Sequence, residues 1–195
     1  IERRPVAQRT IDVAAAQEPF LAPAFATAGL DDDTEDGRQL REQVAQTIRA
    51  AKRSEFYSLG LVLGYDYPQS PVVWAEPRAA AVTSSLAFTP SAHPGARLPH
   101  AWLGEGRSIY DLLGVEFSIV SFGTATEPFL EAAARRGVSM AAVVLQPSSH
   151  LRERYGAELV LVRPDQHVAW RGSDASRAEK ILGLALGGPG RPLVR

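Results

Sequence analysis

Apolar positions recur at two different periods along this chain, and the change of period divides it. Over roughly 38–53, Leu40, Val44, Ile48 and Ala51 return at three- and four-residue spacing, which predicts an amphipathic helix. Asp31-Asp-Asp-Thr-Glu-Asp36 precedes it and Arg49, Lys52 and Arg53 close it, so charge complements the helix dipole at both ends. Residues 1–17 are Ala-rich and helical in pattern, with Pro5 tolerated in a first turn or at a kink, and Pro19 and Pro23 then break that pattern. Glu55 to Tyr67 reads as extended, with Leu59, Leu61, Val62 and Leu63 around Gly60 and Gly64, and residues 71–75 read as a further strand. Residues 76–100 are rich in Pro, Ala and Ser and form a connector too long for the inside of one compact domain. The expected division is therefore an arm, 1–90, and a domain, 91–195.

The second part is more sharply punctuated. Residues 109–113 predict a short helix ended by Gly114, and Glu116–Phe122 alternates like a strand. Thr126 stands where a helix cap belongs, with Glu127 in the first turn, Arg135 and Arg136 in the last and Gly137 as terminator. Residues 138–145 are apolar almost throughout, which predicts a central strand covered on both faces. Ser148 or Ser149 caps a short helix that stops at Gly156. Leu159–Val162 and Val168–Arg171 flank Pro164-Asp-Gln-His167, a hairpin with a turn-forming Pro-Asp pair. Ser173 or Asp174 then caps a last helix with Ala178, Ile181, Leu182 and Ala185 on one side. The fold class is α/β. The order β-α-β-α-β-β-α is that of a thioredoxin-like domain, preceded by a helical and extended arm.

That fold ordinarily works through a thiolate, and this chain has no cysteine. A peroxiredoxin-like peroxidase is excluded on that ground, as are disulfides and thiolate metal sites. Where a reactive cysteine would follow the strand 117–122 the chain has Gly123-Thr-Ala-Thr126, and Ala157-Glu158 replace the cis-proline expected before the strand 159–162. Twenty-one basic against 22 acidic side chains give a net charge of −1, against a general nucleic-acid or acidic-membrane binder. The apolar run 138–145 is too short to span a bilayer, no signal peptide is visible, and a reducing, cytoplasmic setting fits the lack of cysteine.

No residue pattern amounts to a catalytic, cofactor-binding or metal site. His93 and His100 bracket a Pro- and Gly-rich loop without a third ligand at metal spacing; His167 lies in the hairpin, and all four histidines, with His150, read as surface or packing residues. Gly104-Glu-Gly106 and Gly187-Gly-Pro-Gly190 lack the strand-to-helix context of a phosphate loop. Asp111 and Glu116, imaginable as paired carboxylates, flank a helix end and a strand start where charge is ordinary. Phe56, Tyr57, Tyr65, Tyr67 and Trp74 line either an aromatic pocket or, the favoured reading, a face that packs on a neighbouring domain. The arm offers no closed core of its own, and the chain is expected to self-associate through that uncovered apolar face.

Several segments resemble one family. Residues 93–103, 108–114 and 116–120 are similar to the C-terminal region of FAD-dependent aromatic hydroxylases, the group of phenol and chlorophenol monooxygenases and aromatic-polyketide hydroxylases. Residues 161–171 resemble the hairpin near the end of those enzymes, 2–7 the close of their flavin-binding portion, and 63–67 the stretch before the last domain. The resemblance implies a parent enzyme that hydroxylates a phenol or polyketide using FAD, NAD(P)H and O₂. It implies that the domain from 91 serves packing and dimer contacts, with the upstream flavin-binding domain as its partner. The family's FAD- and phenol-binding residues lie before Ile1, so none carries over. Met140 is the only methionine, so the chain is expected to be a processed product or a piece of something longer, and the resemblance implies that it is inactive alone. The alternative is a free-standing, redox-inert adaptor or dimerisation module.

Overall fold

The computed structural model describes residues 2–77 and 84–188. They fall into two compact units, Ile1–Gly64 with Val82–Phe88, and Tyr65–Ala81 with Thr89–Arg195.

In the first unit, helix α1 (Arg3–Ala15) holds Pro5 in its first turn, where a missing N–H costs nothing. Pro19 and Pro23 do not end helical structure: Pro19 sits in the first turn of a second helix, α2 (Glu18–Phe25), and Pro23 is carried inside it. The amphipathic helix is α3 (Glu35–Phe56), longer at both ends than its apolar stripe. The Thr34 hydroxyl starts it by accepting a hydrogen bond from the Gly37 N–H at 3.1 Å. Arg41 ties the acidic turn to the helix, donating to the carbonyls of Leu30 (2.8 Å) and Asp32 (2.9 Å). The extended reading of 55–67 is corrected: α3 runs through Phe56, and Leu59–Val62 form a short helix, α4. Leu59, Leu61, Val62 and Leu63 fit a helical turn as well as a strand, and Gly60 decides between them. A Cβ there would lie 1.9 Å from the Ser84 carbonyl oxygen, so the turn forms where two backbones touch. Among the described residues of this unit, Ala24 and Leu61 are the buried apolar side chains.

The second unit is built on β1 (Phe117–Ser121), α5 (Glu127–Arg135), β2 (Met140–Val144), α6 (Ser149–Tyr155), β3 (Leu159–Val162), β4 (Val168–Gly172) and α7 (Ala178–Ala185). The sheet order is β2-β1-β3-β4, with β1 parallel to β2 and antiparallel to β3, and β3 antiparallel to β4. This is the expected thioredoxin-like arrangement. Every residue of β1 and β3 is buried. One face carries Ile119, Leu161 and Trp170 against Phe129 of α5 and Ile181 and Leu182 of α7. The other carries Val120, Val160 and Val162 against Tyr155 of α6, Ile109 and Leu98.

Two expectations fail here. Residues 138–145 do not make a central strand: β2 lies at the edge, with Ala142 and Val144 exposed. Unbroken apolarity reports compatibility with burial, and the parallel crossover through α5 puts β2 beside β1, with no strand beyond it among the described residues. Residues 71–75 form no strand either; Trp74 donates a single backbone hydrogen bond to Ala169 (2.8 Å). Thr126 occupies the cap position of α5 without a side-chain cap bond, whereas Ser148 caps α6 through the Leu151 N–H, and Asp174 caps the 3₁₀ turn Ala175–Arg177 ahead of α7.

The far edge, β4, is sealed. Gly95 donates to Val168 (2.7 Å), Val168 to Ala96 (2.9 Å), and Tyr67 to Gly95 (3.0 Å), so two irregular segments lie along the strand in turn. Gly95 has φ +92°, and a Cβ there would come 2.9 Å from the Tyr67 backbone. Gly95→Ala is therefore expected to lower stability by about 1–3 kcal/mol. Phe129→Ala, at a site with no solvent exposure, should lower it by about 3–5 kcal/mol, both read from denaturant unfolding.

Candidate functional site

The turn after β1 is where this fold ordinarily keeps its sulfur, and here oxygen chemistry closes it. The Thr124 N–H donates to Ser121 Oγ at 3.0 Å, and the Ser121 hydroxyl returns a bond to the Thr124 carbonyl. The Thr124 hydroxyl donates to Glu158 Oε2 at 2.8 Å, across to the residue before β3 that replaces a cis-proline. The Phe122 N–H donates to the Glu158 carbonyl at 2.9 Å, and the described peptide bonds are all trans. This arrangement is a structural tie, because the Ser121 and Thr124 hydroxyls and the Glu158 carboxylate are already engaged with protein partners.

A second cluster, within the second unit, joins Glu76 to β4. Arg171 makes a two-pronged contact with Glu76, Nε to Oε2 at 3.0 Å and Nη2 to Oε1 at 2.7 Å, and donates to the Tyr155 carbonyl at 3.1 Å. The hydrogen bond from Arg171 holds the Glu76 carboxyl below its ordinary range. The His93 ring lies 3.7 Å from Glu76 Oε1. The Tyr155 phenol, pushed up by burial, stays protonated and donates to the Pro99 carbonyl at 2.7 Å.

The third cluster surrounds His167. Its residue is 2% exposed, with the ring packed against those of Tyr67 (4.6 Å between centroids) and Tyr65 (5.4 Å), which lie 5.8 Å from each other. Nδ1 lies 3.0 Å from the Asp165 carbonyl oxygen, and buried Nε2 has no hydrogen-bond partner. Burial pushes the Asp165 carboxyl up, but its hydrogen bond with His167 and the nearby Arg163 charge outweigh this and lower it to about 2.

The residues weighed from sequence are thus dispersed. Among the described residues no group of three or more His, Asp or Glu is placed to hold a metal ion. His100 packs edge-on against exposed Trp102 at 4.7 Å, and His150 lies exposed in α6. Asp111 and Glu116 are not paired: Asp111 accepts from the Ser108 N–H (2.8 Å) in a capping box, and Glu116 from the Ser139 N–H (3.0 Å). The aromatics divide. Phe56 and Tyr57 are exposed at the end of α3, while Trp74 packs on the first face of the sheet beneath Arg177 (4.7 Å) and Lys180 (5.9 Å). Tyr65 and Tyr67 hold His167, a grouping that sequence reasoning missed because 100 residues separate its halves. Gly104 and Gly106 lie at the tip of a small turn closed by Leu103 and Arg107, and Pro189 and Gly190 fall outside the described residues. The described residues thus contain no glycine-rich strand-to-helix turn that fits the pyrophosphate of FAD. An open apolar groove lies between α2 and α3 of the first unit, lined by Phe20, Pro23, Leu40 and Val44.

The architecture is a thioredoxin-like domain whose thiol position is tied shut. Comparison with known proteins narrows the class. Residues 91–189 match the family model of the C-terminal region of aromatic-ring hydroxylases. Phenol 2-monooxygenase of Pseudomonas sp. strain EST1001 is 30% identical over 233 residues, covering 100% of this chain and 38% of that protein. The FAD-dependent monooxygenase apdD of Emericella nidulans is 29% identical over 95% of this chain and 32% of its own length. Among solved structures, the rebeccamycin biosynthetic enzyme RebC with reduced flavin superposes with a TM-score of 0.80 at 35% identity, over 95% of this chain and 35% of that one. The flavin-dependent monooxygenase PieE, in complex with FAD and substrate, gives 0.72 at 28% identity, over 96% and 39%. The chain belongs to the aromatic-ring hydroxylase C-terminal family, and it spans between 32% and 39% of the length of these relatives. No described helix is long and apolar enough to cross a membrane.

Asp165 yields a pH prediction. A carboxyl lowered on folding contributes stability that is complete above its ordinary value of 3.8 and is lost as pH falls toward about 2. Across that window the melting temperature of the wild-type chain should fall more steeply than that of Asp165→Asn. Parallel profiles would mean the carboxylate is not held as described.

Proposed function

We propose that this chain is the C-terminal portion of a flavoprotein that hydroxylates a phenol or an aromatic polyketide, and that its own task is packing and assembly. The observation that carries the reading is the alignment: it runs the whole length of the chain yet takes up 38% of a phenol 2-monooxygenase. FAD and NAD(P)H belong, in this reading, to upstream residues, since the described residues contain no turn that fits a dinucleotide. The domain boundary near residue 91 accords with the start of the family match.

The first unit supports a docking role. Ile11, Phe20, Phe25, Phe56, Tyr57, Leu59 and Val62 are all more than half exposed, Phe56 by 78%, beside a unit that buries few apolar side chains itself. An apolar surface of this kind is stable in water only when something covers it. The upstream flavin-binding body is the proposed cover. A cytoplasmic setting accords with the absence of cysteine.

The test is the coding sequence upstream, joined to a spectrum. The reading frame should extend through a G-x-G-x-x-G segment on the N-terminal side, and the natural polypeptide should purify yellow and oxidise NAD(P)H in response to a phenol. The isolated chain should purify colourless and be inactive in the same assay. A frame that opens close to Ile1 with no such segment refutes the proposal.

A further inference from the structure

Residues 65–77 lie along the outer side of β4 with no helix or strand of their own. Their backbone reaches the rest of the second unit at separate points. The Tyr67 N–H donates to the Gly95 carbonyl at 3.0 Å beside a bridge from Asp66 to Ala96, and the Trp74 N–H donates to the Ala169 carbonyl at 2.8 Å. Side chains add to this hold: Tyr67 and Val73 are buried, Trp74 packs on the sheet, and Glu76 grips Arg171 with both oxygens. Attachments spaced along a stretch without a ladder give it little cooperativity with the sheet it covers.

Under this segment lies a group that the closed form leaves unsatisfied. His167 Nδ1 faces the Asp165 carbonyl oxygen at 3.0 Å, and a carbonyl oxygen only accepts, so Nδ1 carries a proton. Nε2 is buried without a hydrogen-bond partner, and the rings of Tyr65 and Tyr67 pack over the imidazole. The two nitrogens therefore weigh differently. The Nδ1 bond lies within the hairpin and persists whether or not the tyrosines are in place. Nε2 meets water only when they leave, so it works against the closed arrangement.

We propose that residues 65–77 form a releasable strap, which lifts from β4 while the four-stranded sheet stays folded, and that the unpaired Nε2 of His167 sets its bias toward release. The opposing hold is the grip of Glu76 on Arg171. That arginine also donates to the Tyr155 carbonyl at 3.1 Å, so it keeps a partner in the domain when the strap departs. Release wets the imidazole and frees the Ala169 carbonyl on the outer side of β4. The device belongs to the second unit and does not depend on the function proposed above.

Amide hydrogen exchange on the 195-residue chain, followed by NMR in denaturant below the unfolding transition, tests the strap. The Tyr67 and Trp74 amides should exchange at least about tenfold faster than those of Ile119 and Leu161, at rates that added denaturant barely changes. Val120→Ala, in the core under α6, should quicken Ile119 and Leu161 and leave Tyr67 and Trp74 as they were. His167→Phe keeps a ring against the tyrosines and removes the unpaired nitrogen, so the Tyr67 and Trp74 amides should slow by about tenfold. Diethyl pyrocarbonate gives a second reading on the unaltered chain, because it acylates an imidazole nitrogen that solvent reaches and expels ethyl carbonate. His100 and His150 are exposed and should react first. His167 should react through the same opening as the Tyr67 and Trp74 amides, well ahead of Ile119 exchange. Should Tyr67 and Trp74 share the rate and denaturant dependence of Ile119, or His167 react only as the core unfolds, there is no releasable strap. Fast strap exchange that His167→Phe fails to slow leaves the strap and overturns the part given to Nε2.

Discussion

Two strands with no solvent on either face, β1 and β3, set the terms for everything around them. A strand buried on both sides demands two covering layers, and each layer must bring enough apolar surface to repay the loss of chain entropy. Helices α5 and α7 supply one layer, with Phe129, Ile181 and Leu182 set against Ile119 and Leu161. On the other side the described helical elements are the short α6 and the 3₁₀ turn Ile109–Leu112. The segment around Leu98, Ala101 and Ile109 therefore has to pack there as well. That requirement draws an irregular stretch into the domain and fixes it by specific polar contacts. The Tyr155 phenol takes the Pro99 carbonyl, Arg154 the His100 carbonyl, and Tyr110 the Leu98 carbonyl. Irregular backbone can lie over a core only if its peptide groups find partners, and here they do.

The same logic explains why a fold associated with redox chemistry is stable without it. The reactive thiol of that fold plays no part in the layers; it occupies a turn. Replacing that turn by Gly123-Thr-Ala-Thr126 changes the local demand from reactivity to satisfaction of hydrogen bonds. Ser121, Thr124 and Glu158 meet that demand among themselves. The scaffold is left free to present surfaces, which is consistent with a family defined by a C-terminal region of larger enzymes.

Much of the second unit was legible in the sequence because its local signals agree. Gly156 at φ +62° ends α6 where a glycine stop was expected, and the 164–167 turn joins β3 to β4 as its Pro-Asp pair indicates. What could not be read was relative position. An apolar run says that a strand can be buried, but which strand lies at the edge is decided by the connection through α5, and so β2 was misplaced. Residues 55–67 failed for a different reason: leucine and valine clustered around two glycines fit either period, and only the contact of Gly60 with the Ser84 backbone selects the helical turn. The pairing of Glu76 with Arg171 and the enclosure of His167 by two tyrosines join residues about 100 positions apart, beyond the reach of spacing arguments. No residue of the three clusters was singled out from sequence as functional.

The tryptophans sit in three unlike settings. Trp170 is in the core, Trp102 is 69% exposed, and Trp74 rides on the sheet beneath two cations. Indole emission depends on polarity and on nearby charge, so each ring carries its own optical signature. Detachment of the segment bearing Trp74 would register as a fluorescence change separate from melting of the core around Trp170. The molecule therefore contains its own reporter for whether the seal along β4 opens before the domain unfolds.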